Sequence, residues 1–369
     1  MYKKFQAAWI MCLTSMGASA HGFPNGPLEG HFIAPELLSK PTINASHVVS
    51  PQFTSPILHG LHPDRNTSIE RHNDYTVSSA TLRDEANRPQ GSLVMVRHDD
   101  GHLLALVETP QQSGMILADG IGTQQWFDAS PADYMQPDAE PMTEPASPML
   151  VRESATDEAD VDSEGFIVID LLAGFSRSAA DRVGDPQAFA LAQVESVNLG
   201  LRNSQVEKVR LRLAGIQIIE EDYPVHNGAN GALKKALALF DAGMKQYGAD
   251  LLASYFNASS GNNAAGWAYI GGRVSVQQAK YANAFRHEIA HNVGGSHCNT
   301  GQAHYKFGYN NGNSKTILCG NSTSFYSTPL LLDDAGLPRG NPATADMARL
   351  WRERAAKISS LAKAVVPLD

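Results

Sequence analysis

The 369-residue sequence has little cysteine and no excess of positive charge, and its apolar N-terminal run is too short to span a bilayer. The formal net charge of −9 argues against the basic surface that a nucleic acid or an anionic membrane requires. We therefore expect no nucleic-acid partner and no membrane anchor. Hydrophobic residues make up 43% of the chain, which is enough for one large domain or two modest ones.

Residues 1–20 have the three parts of an export signal. "MYKK" gives a short positive start, "FQAAWIMCLTSMG" is a compact apolar run, and "ASA" offers small residues for cleavage before His21. The alternative is a buried N-terminal helix. The pattern predicts a secreted protein, either extracellular or periplasmic.

Only three cysteines occur, and removal of the signal would take Cys12 with it. Cys298 and Cys319 would remain, and an even pair in an exported protein favours a disulfide. The alternative is two free, buried thiols.

The N-terminal part of the chain, residues 21–129, is predicted to be a small β-rich domain. Residues 21–72 show no sustained period and are expected to be irregular. Residues 74–128 contain short β-like runs separated by turn residues, with "RHDDGHL" as a hairpin turn: "YTVSSATL", "GSLVMVRH", "GHLLALVET", "GMILADG" and "TQQWFD".

Residues 130–165 differ in composition, with ten acids, five prolines and one basic residue. Such a stretch buries too little apolar surface to fold, so it is predicted to be a linker. It is either a plain interdomain connection or a tether open to proteolytic removal of the N-terminal domain.

Residues 166–369 have an α/β pattern. Strands are expected in "GFIVIDLLAGFS", "KVRLRLAGIQIIEEDY", "ADLLASYF" and "GWAYIGG", with helices in "DPQAFALAQVESVNLGLRNSQV" and "GALKKALALFDAG". Four strands and two intervening helices before residue 285 predict a mixed, mostly parallel sheet.

The stretch "FRHEIAHNVGGSHC" contains the residues with the clearest chemistry. His287 and His291 are four apart, so they share one helical face and can meet one metal ion, while Phe285, Ile289 and Val293 lie on roughly the opposite face. Gly294, three residues after His291, allows the chain to leave the helix in a left-handed conformation and return His297 as a third ligand.

Three imidazoles with one open position describe a catalytic zinc site. Glu288, adjacent to the first ligand, is placed to take a proton from a zinc-bound water that attacks a peptide carbonyl. The pattern thus predicts His287, His291 and His297 as Zn²⁺ ligands and Glu288 as general base.

"HEIAHNVGGSH" resembles the signature of the metzincin zinc metallopeptidases at every defined position. The resemblance extends over about residues 166–363, through "YKFGYNNGNSKTILCGNSTSFYSTP" and a terminal helix in "ATADMARLWRERAAKISSLAK", and is greatest to the reprolysin-like and bacterial secreted branches. It implies a metzincin-like catalytic domain that acts on proteins or peptides, preceded by a prodomain.

The resemblance also implies roles for further residues. "GWAYI" resembles the edge strand that receives substrate, so Gly266, Trp267, Ala268 and Tyr269 are pocket candidates. Leu318 stands where such sequences have the methionine of the Met-turn, an apolar floor that leucine can fill. We expect Met347, the next methionine, to lie too far on, inside the last helix. Tyr326 is expected to form a wall of the substrate pocket.

Matrix-type metzincins keep their proenzymes inactive with a propeptide cysteine that binds the zinc. No cysteine lies between residues 21 and 297, so an inactive proenzyme of this chain would need another means of inhibition. We expect the N-terminal domain to inhibit in cis, either sterically or through a carboxylate. Two alternatives stay open beside a general secreted endopeptidase: a narrowly specific toxin-like or peptidyl-Asp-type protease, and a zinc-binding interaction module that no longer turns over.

Overall fold

The computed structural model describes residues 31–33, 57–64, 68–121, 123–128, 139–141, 158–225, 229–258, 264–299, 301–320 and 323–368. The predicted signal, residues 1–20, and most of the predicted linker lie outside these residues. Within the described part, no helix has the length and apolar character needed to cross a membrane.

An antiparallel sheet makes up most of the described N-terminal part. The strands before residue 142 are β1 (His31–Ile33), β2 (His62–Pro63), β3 (Ser68–His72), β4 (Tyr75–Arg83), β5 (Pro89–His98), β6 (Leu103–Glu108), β7 (Ser113–Ala118), β8 (Gln124–Asp128) and β9 (Ala139–Pro141). Strands β4 to β8 pair in sequence order, as the five predicted runs require.

Strand β3 corrects the prediction that residues 21–72 are irregular. Its five residues pair with β4, from Ser68 opposite Ser79 to His72 opposite Tyr75. The strand is too short and too polar to show a period of its own, and its pairing with the long strand β4 defines it.

The C-terminal part is a mixed α/β domain with a mostly parallel sheet. Its strands are β10 (Ile167–Ser176), β11 (Val209–Ile219), β12 (Leu251–Phe256), β13 (Gly266–Ile270), β14 (Val274–Gln278), β15 (Ser296–Cys298), β16 (Phe307–Gly308), β17 (Thr328–Leu332) and β18 (Pro338–Arg339). The order β11-β10-β12-β14 is parallel, and β13 pairs antiparallel with β14. This confirms the predicted fold class.

In the part of the chain that the structure describes, five helices complete the domain: α1 (Arg177–Val183), α2 (Pro186–Asn203), α3 (Ala229–Tyr247), α4 (Ala284–Val293) and α5 (Met347–Ser359). Helix α2 begins where the sequence predicts, because the Asp185 carboxylate accepts hydrogen bonds from the N–H groups of Gln187 and Ala188 and Pro186 occupies the first turn.

The predicted count of four strands and two helices before residue 285 was too low. Helix α1 follows β10 without a break, and β14 follows β13 after Gly271 and Gly272. Gly271 has a φ of +74°, which suits the tight reversal between the two strands.

Helix α2 joins the two parts of the molecule. It packs against β11 of the central sheet and against β4, β5 and β6 of the N-terminal sheet. Val77 and Val96 of the N-terminal sheet therefore belong to the same hydrophobic core as Phe189 and Val197 of the helix.

The central sheet is extended at both edges by segments from far earlier in the chain. Strand β1 pairs antiparallel with β11, and β9 pairs parallel with β13, placing Ala139–Pro141 alongside Ala268–Ile270. Part of the predicted linker thus lies along the edge strand of the domain.

Candidate metal centre

Helix α4 has one side in the core and another that carries histidines. Phe285, Ile289 and Val293 are at most 1% exposed and belong to the main core, as their four-residue spacing predicts. His287 and His291 are fully buried as well, on the other side of the helix. The apolar residues fix the helix against the sheet, so the two imidazoles have a rigid support.

Gly294 ends the helix in the predicted way. It has a φ of +110°, and its N–H group donates to the carbonyls of Ala290 and His291. Both bonds cap the last turn and send the chain back into strand β15, which carries His297 and pairs with β16. The reversal brings His297 to the two helical histidines.

The three imidazoles converge through their Nε2 atoms. These atoms lie 3.0 Å apart for His287 and His297, 3.1 Å for His287 and His291, and 3.2 Å for His291 and His297. Three ligands at about 2.05 Å from a tetrahedral zinc ion would be about 3.3 Å apart, so the spacing fits such an ion. Among the described residues these three side chains form the group able to hold a metal.

A backbone contact fixes the tautomer of the second histidine. Nδ1 of His291 lies 2.9 Å from the carbonyl oxygen of Gly295. Since a carbonyl oxygen only accepts, Nδ1 carries the proton and the lone pair of Nε2 faces the other two rings. This is the arrangement that a histidine ligand needs.

Leu318 and Met347 both pack against Gly295. A Cβ atom on Gly295 would lie 2.5 Å from Cδ1 of Leu318 and 2.6 Å from Cε of Met347. Met347 is the first residue of the last helix, as expected, but it is not remote from the site, because the start of α5 folds back to the loop that delivers His297. Leu318 itself has a φ of +73°, a left-handed conformation that is uncommon for leucine.

The side chain of Glu288 lies between its own helix α4, the metal helix, and the edge strand β13. Its side chain is buried at 1% exposure, and a Cβ atom on Gly266 would come within 2.8 Å of its Oε1 atom. Only glycine at 266 leaves room for the carboxylate, so the backbone of β13 passes directly beside Glu288.

Asn292 is a further residue of the site that sequence reasoning missed. Its side-chain amide donates to the carbonyl of Tyr269 at 3.1 Å and to that of Val274 at 3.0 Å. These bonds hold the β13–β14 hairpin against the helix and so fix the edge strand relative to the histidines. An asparagine next to a ligand gives no sequence signal for such a role.

Cys298 and Cys319 form the predicted disulfide, with Cα atoms 4.8 Å apart. The bond connects the residue after His297 to the residue after Leu318. It ties the loop that carries the third histidine to the turn beside Gly295.

The remaining pocket candidates differ in position. Trp267 is partly exposed, whereas Ala268 and Tyr269 are fully buried. Tyr326 is fully buried too, against Gly200 of α2 and 5.5 Å from the Trp351 ring of α5. The side chain therefore faces the core and not a substrate cleft. Burial also raises the pKa of its hydroxyl, so it stays neutral.

Comparison with known proteins agrees with the geometry. Residues 190–298 match the model of the family described as Metallo-peptidase family M12B Reprolysin-like, a range that runs from α2 to Cys298. No curated protein matches the sequence.

A solved structure described as "Structure of a chaperone-substrate complex" matches at 19% sequence identity with a TM-score of 0.47, over 73% of this chain. This chain spans 39% of the length of that chain.

Proposed function

We propose, from a reprolysin-like metallopeptidase domain with an intact histidine triad, that this protein is a zinc-dependent endopeptidase. The observation that carries the proposal is the convergence of three Nε2 atoms within 3.0–3.2 Å of one another. Three imidazoles suit zinc and leave the fourth coordination position open for chemistry. When bound, zinc acts as a Lewis acid that polarises the carbonyl and lowers the pKa of water.

Glu288 is the general base in this proposal. It is adjacent to the ligand His287 and is almost fully buried, so it lies within the site and not on the surface. A substrate aligned along β13 would pass the carboxylate, because Gly266 brings the strand backbone against it. Glu288 then takes the proton from the attacking water and can return it to the leaving amine.

The test separates binding of the metal from turnover. Glu288→Gln should keep zinc stoichiometry and abolish peptide hydrolysis, since the amide has the same shape but takes up no proton. Turnover that survives this change would contradict the mechanism. Loss of zinc from His297→Ala, measured by metal analysis, provides the matched control for ligand loss.

The substrates of such an enzyme are proteins or peptides in extended form, and the edge of β13 is their binding strand. Strand β14 occupies one edge of β13, and β9 occupies the other. A substrate can therefore pair with β13 only where Ala139–Pro141 now lies. We infer that the segment around β9 inhibits the enzyme in cis by covering this edge.

Two replacements of equal length test inhibition in cis. Exchange of residues 136–144 for a Gly/Ser sequence should raise activity in the full chain, because the edge of β13 becomes free. The same exchange over residues 145–153 is the control and should leave the activity low. Equal activity of both variants would overturn the inhibitory role.

The protein is made, in this proposal, as a secreted prepro form. The signal-like residues 1–20 and the disulfide beside the site both suit an oxidising compartment outside the cytoplasm. Cleavage of the acidic linker on both sides of Ala139–Pro141 would then release β9 from the edge strand. N-terminal sequencing of the exported protein tests the signal and linker cleavages.

Substrate tests distinguish the proposed enzyme from two alternatives, a narrowly specific protease and a zinc-binding module without turnover. A general casein digest separates a broad endopeptidase from a narrowly specific protease, which would cleave only members of a defined peptide panel. A zinc-binding module without turnover would bind the metal and cleave neither, and the buried acid Glu288 speaks against it.

A further inference from the structure

Arg286, the residue before the first histidine, reaches into the N-terminal sheet. Its Nη2 atom lies 2.6 Å from Oε1 and 2.5 Å from Oε2 of Glu108, at the end of β6. The side chains are only 3% and 12% exposed. The metal-binding helix is thus joined by a nearly buried ion pair to a residue 178 positions earlier.

The same carboxylate serves as the centre of a small polar network. Ser92 of β5 donates to Oε2 of Glu108 at 3.0 Å, and Nη1 of Arg286 donates to the hydroxyl of Ser324 at 3.1 Å. Ser324 lies in the segment between Leu318 and α5. Glu108 therefore connects the N-terminal sheet, the metal helix and the chain that leads away from the disulfide turn.

A buried ion pair of this kind constrains both partners strongly. Removing one partner leaves the other charge buried and uncompensated, which is far more costly than loss of a surface pair. If the N-terminal sheet were discarded, Arg286 would lose its ion pair with Glu108. Arg286 is adjacent to the ligand His287, so the loss would fall directly beside the metal site.

The apolar packing of α2 also joins the N-terminal sheet to the catalytic domain. Fourteen of the eighteen residues of α2 are buried, so only a small part of the helix faces water. One side of it is covered by β11 and another by β4, β5 and β6. The N-terminal sheet is thus a third layer of the catalytic domain, and its loss would expose the apolar surface of α2 to water.

We propose that Glu108, acting through Arg286, is a positioning residue for the metal-binding helix, and that the N-terminal sheet stays docked as part of the active enzyme after the linker is cut. The inference rests on the proposed zinc peptidase function. It separates two roles within the N-terminal region: the segment around β9 blocks the edge strand, while the sheet supports the metal site.

Substitution of Glu108 in the full chain tests the positioning role. Glu108→Gln should weaken zinc binding about 10-fold or more in a competition with a chromophoric chelator, as loss of a group that orients ligands does. In the chain whose residues 136–144 are exchanged for Gly/Ser, which frees the edge of β13, it should also lower kcat with KM little changed. Glu108→Asp keeps the charge but shortens the reach, and provides a second variant if the glutamine form does not fold.

Tyr75→Phe is the matched control. The Tyr75 hydroxyl donates to Asp185 at 3.0 Å, so this change removes another bond between the sheet and the catalytic domain, at the start of α2. It should lower thermal stability without changing zinc affinity. Glu108 variants that fold and bind zinc within about twofold of the unmodified chain would overturn the positioning role.

A cleavage experiment tests the second half of the inference. A specific protease site inserted within residues 145–153, in the chain whose residues 136–144 are exchanged for Gly/Ser, allows the linker to be cut without the inhibitory strand. The two pieces should then coelute on size exclusion and keep the peptidase activity of the uncut form. Separation of the pieces with full activity in residues 166–369 alone would refute it. Failure of the unmodified chain to bind zinc would instead count against the proposed function itself.

Discussion

Two glycines follow α4, and replacing each in turn with alanine distinguishes the cost of backbone strain, at Gly294, from the cost of a steric clash, at Gly295. At Gly294 a Cβ atom would meet nothing nearer than 3.7 Å, the guanidinium of Arg354. The cost of Gly294→Ala is therefore that of a left-handed backbone in a residue with a side chain, roughly 1–2 kcal/mol. The helix end and its capping bonds can remain in place.

Gly295→Ala has a different cost. The new methyl would lie 2.5 Å from Leu318, 2.6 Å from Met347 and 2.8 Å from the carbonyl oxygen of Ala290. The last of these atoms is helix backbone and cannot rotate away, so the loop itself must shift. Overpacking of this kind costs about 1–3 kcal/mol, and the shift moves the Gly295 carbonyl that holds the His291 ring.

The two variants should thus lose similar stability and differ in metal binding. We expect zinc affinity to fall about 10-fold or more for Gly295→Ala, by the loss of ring orientation, and to stay within about twofold for Gly294→Ala, since its strain lies in the backbone alone. Chelator competition measures the affinity, and urea unfolding of the metal-free protein measures stability. Equal affinity of the two variants would refute the assignment of Gly295 as the close-packed point of the loop.

Three further predictions concern the domain that carries the site. Reduction of the Cys298–Cys319 disulfide, or alanine at both positions, should lower the free energy of unfolding by about 3 kcal/mol in a urea titration. An unchanged free energy of unfolding would contradict a structural role for the bond. Asn292→Ala should raise KM more than it changes zinc affinity, because it frees the edge strand while the ligands remain; an unchanged KM would argue against the clamp. Burial raises the pKa of Asp250 to about 8, from an ordinary 3.8, so the stability it contributes is present at low pH and is lost as pH rises from about 4 through 8. Urea midpoints at several pH values should show a smaller decline over this range for Asp250→Asn, and an equal decline would disprove the assignment.

The metal site was accessible to sequence reasoning because its spacing is local. His287 and His291 share a face of a single helix, and one glycine with a positive φ suffices to return His297. The same holds for the strands of the N-terminal sheet, whose turns are short. Such features depend on neighbours within about ten residues, and the chain itself encodes them.

Contacts between distant segments could not be predicted in this way. Met347 reaches the loop beside His297 because α5 folds back over it, and Tyr326 turns into the core against Trp351. Neither placement has a local pattern. One signal was overlooked, since Gly271 and Gly272 between two apolar runs indicate the hairpin that makes β13 an edge strand.

Helix α2 contains a sequence signal for the role of the N-terminal sheet. An amphipathic surface helix keeps a polar face, whereas "PQAFALAQVESVNLGLRN" has few charges and buries fourteen of its eighteen residues. A helix of this composition in a two-layer domain would leave apolar surface in water, so a further layer is required. The buried charge of Arg286 makes the same demand in electrostatic terms, since Glu108, its nearly buried carboxylate partner, comes from that layer. A prodomain that only blocks a cleft needs neither feature, and this is why the sheet is better understood as part of the enzyme.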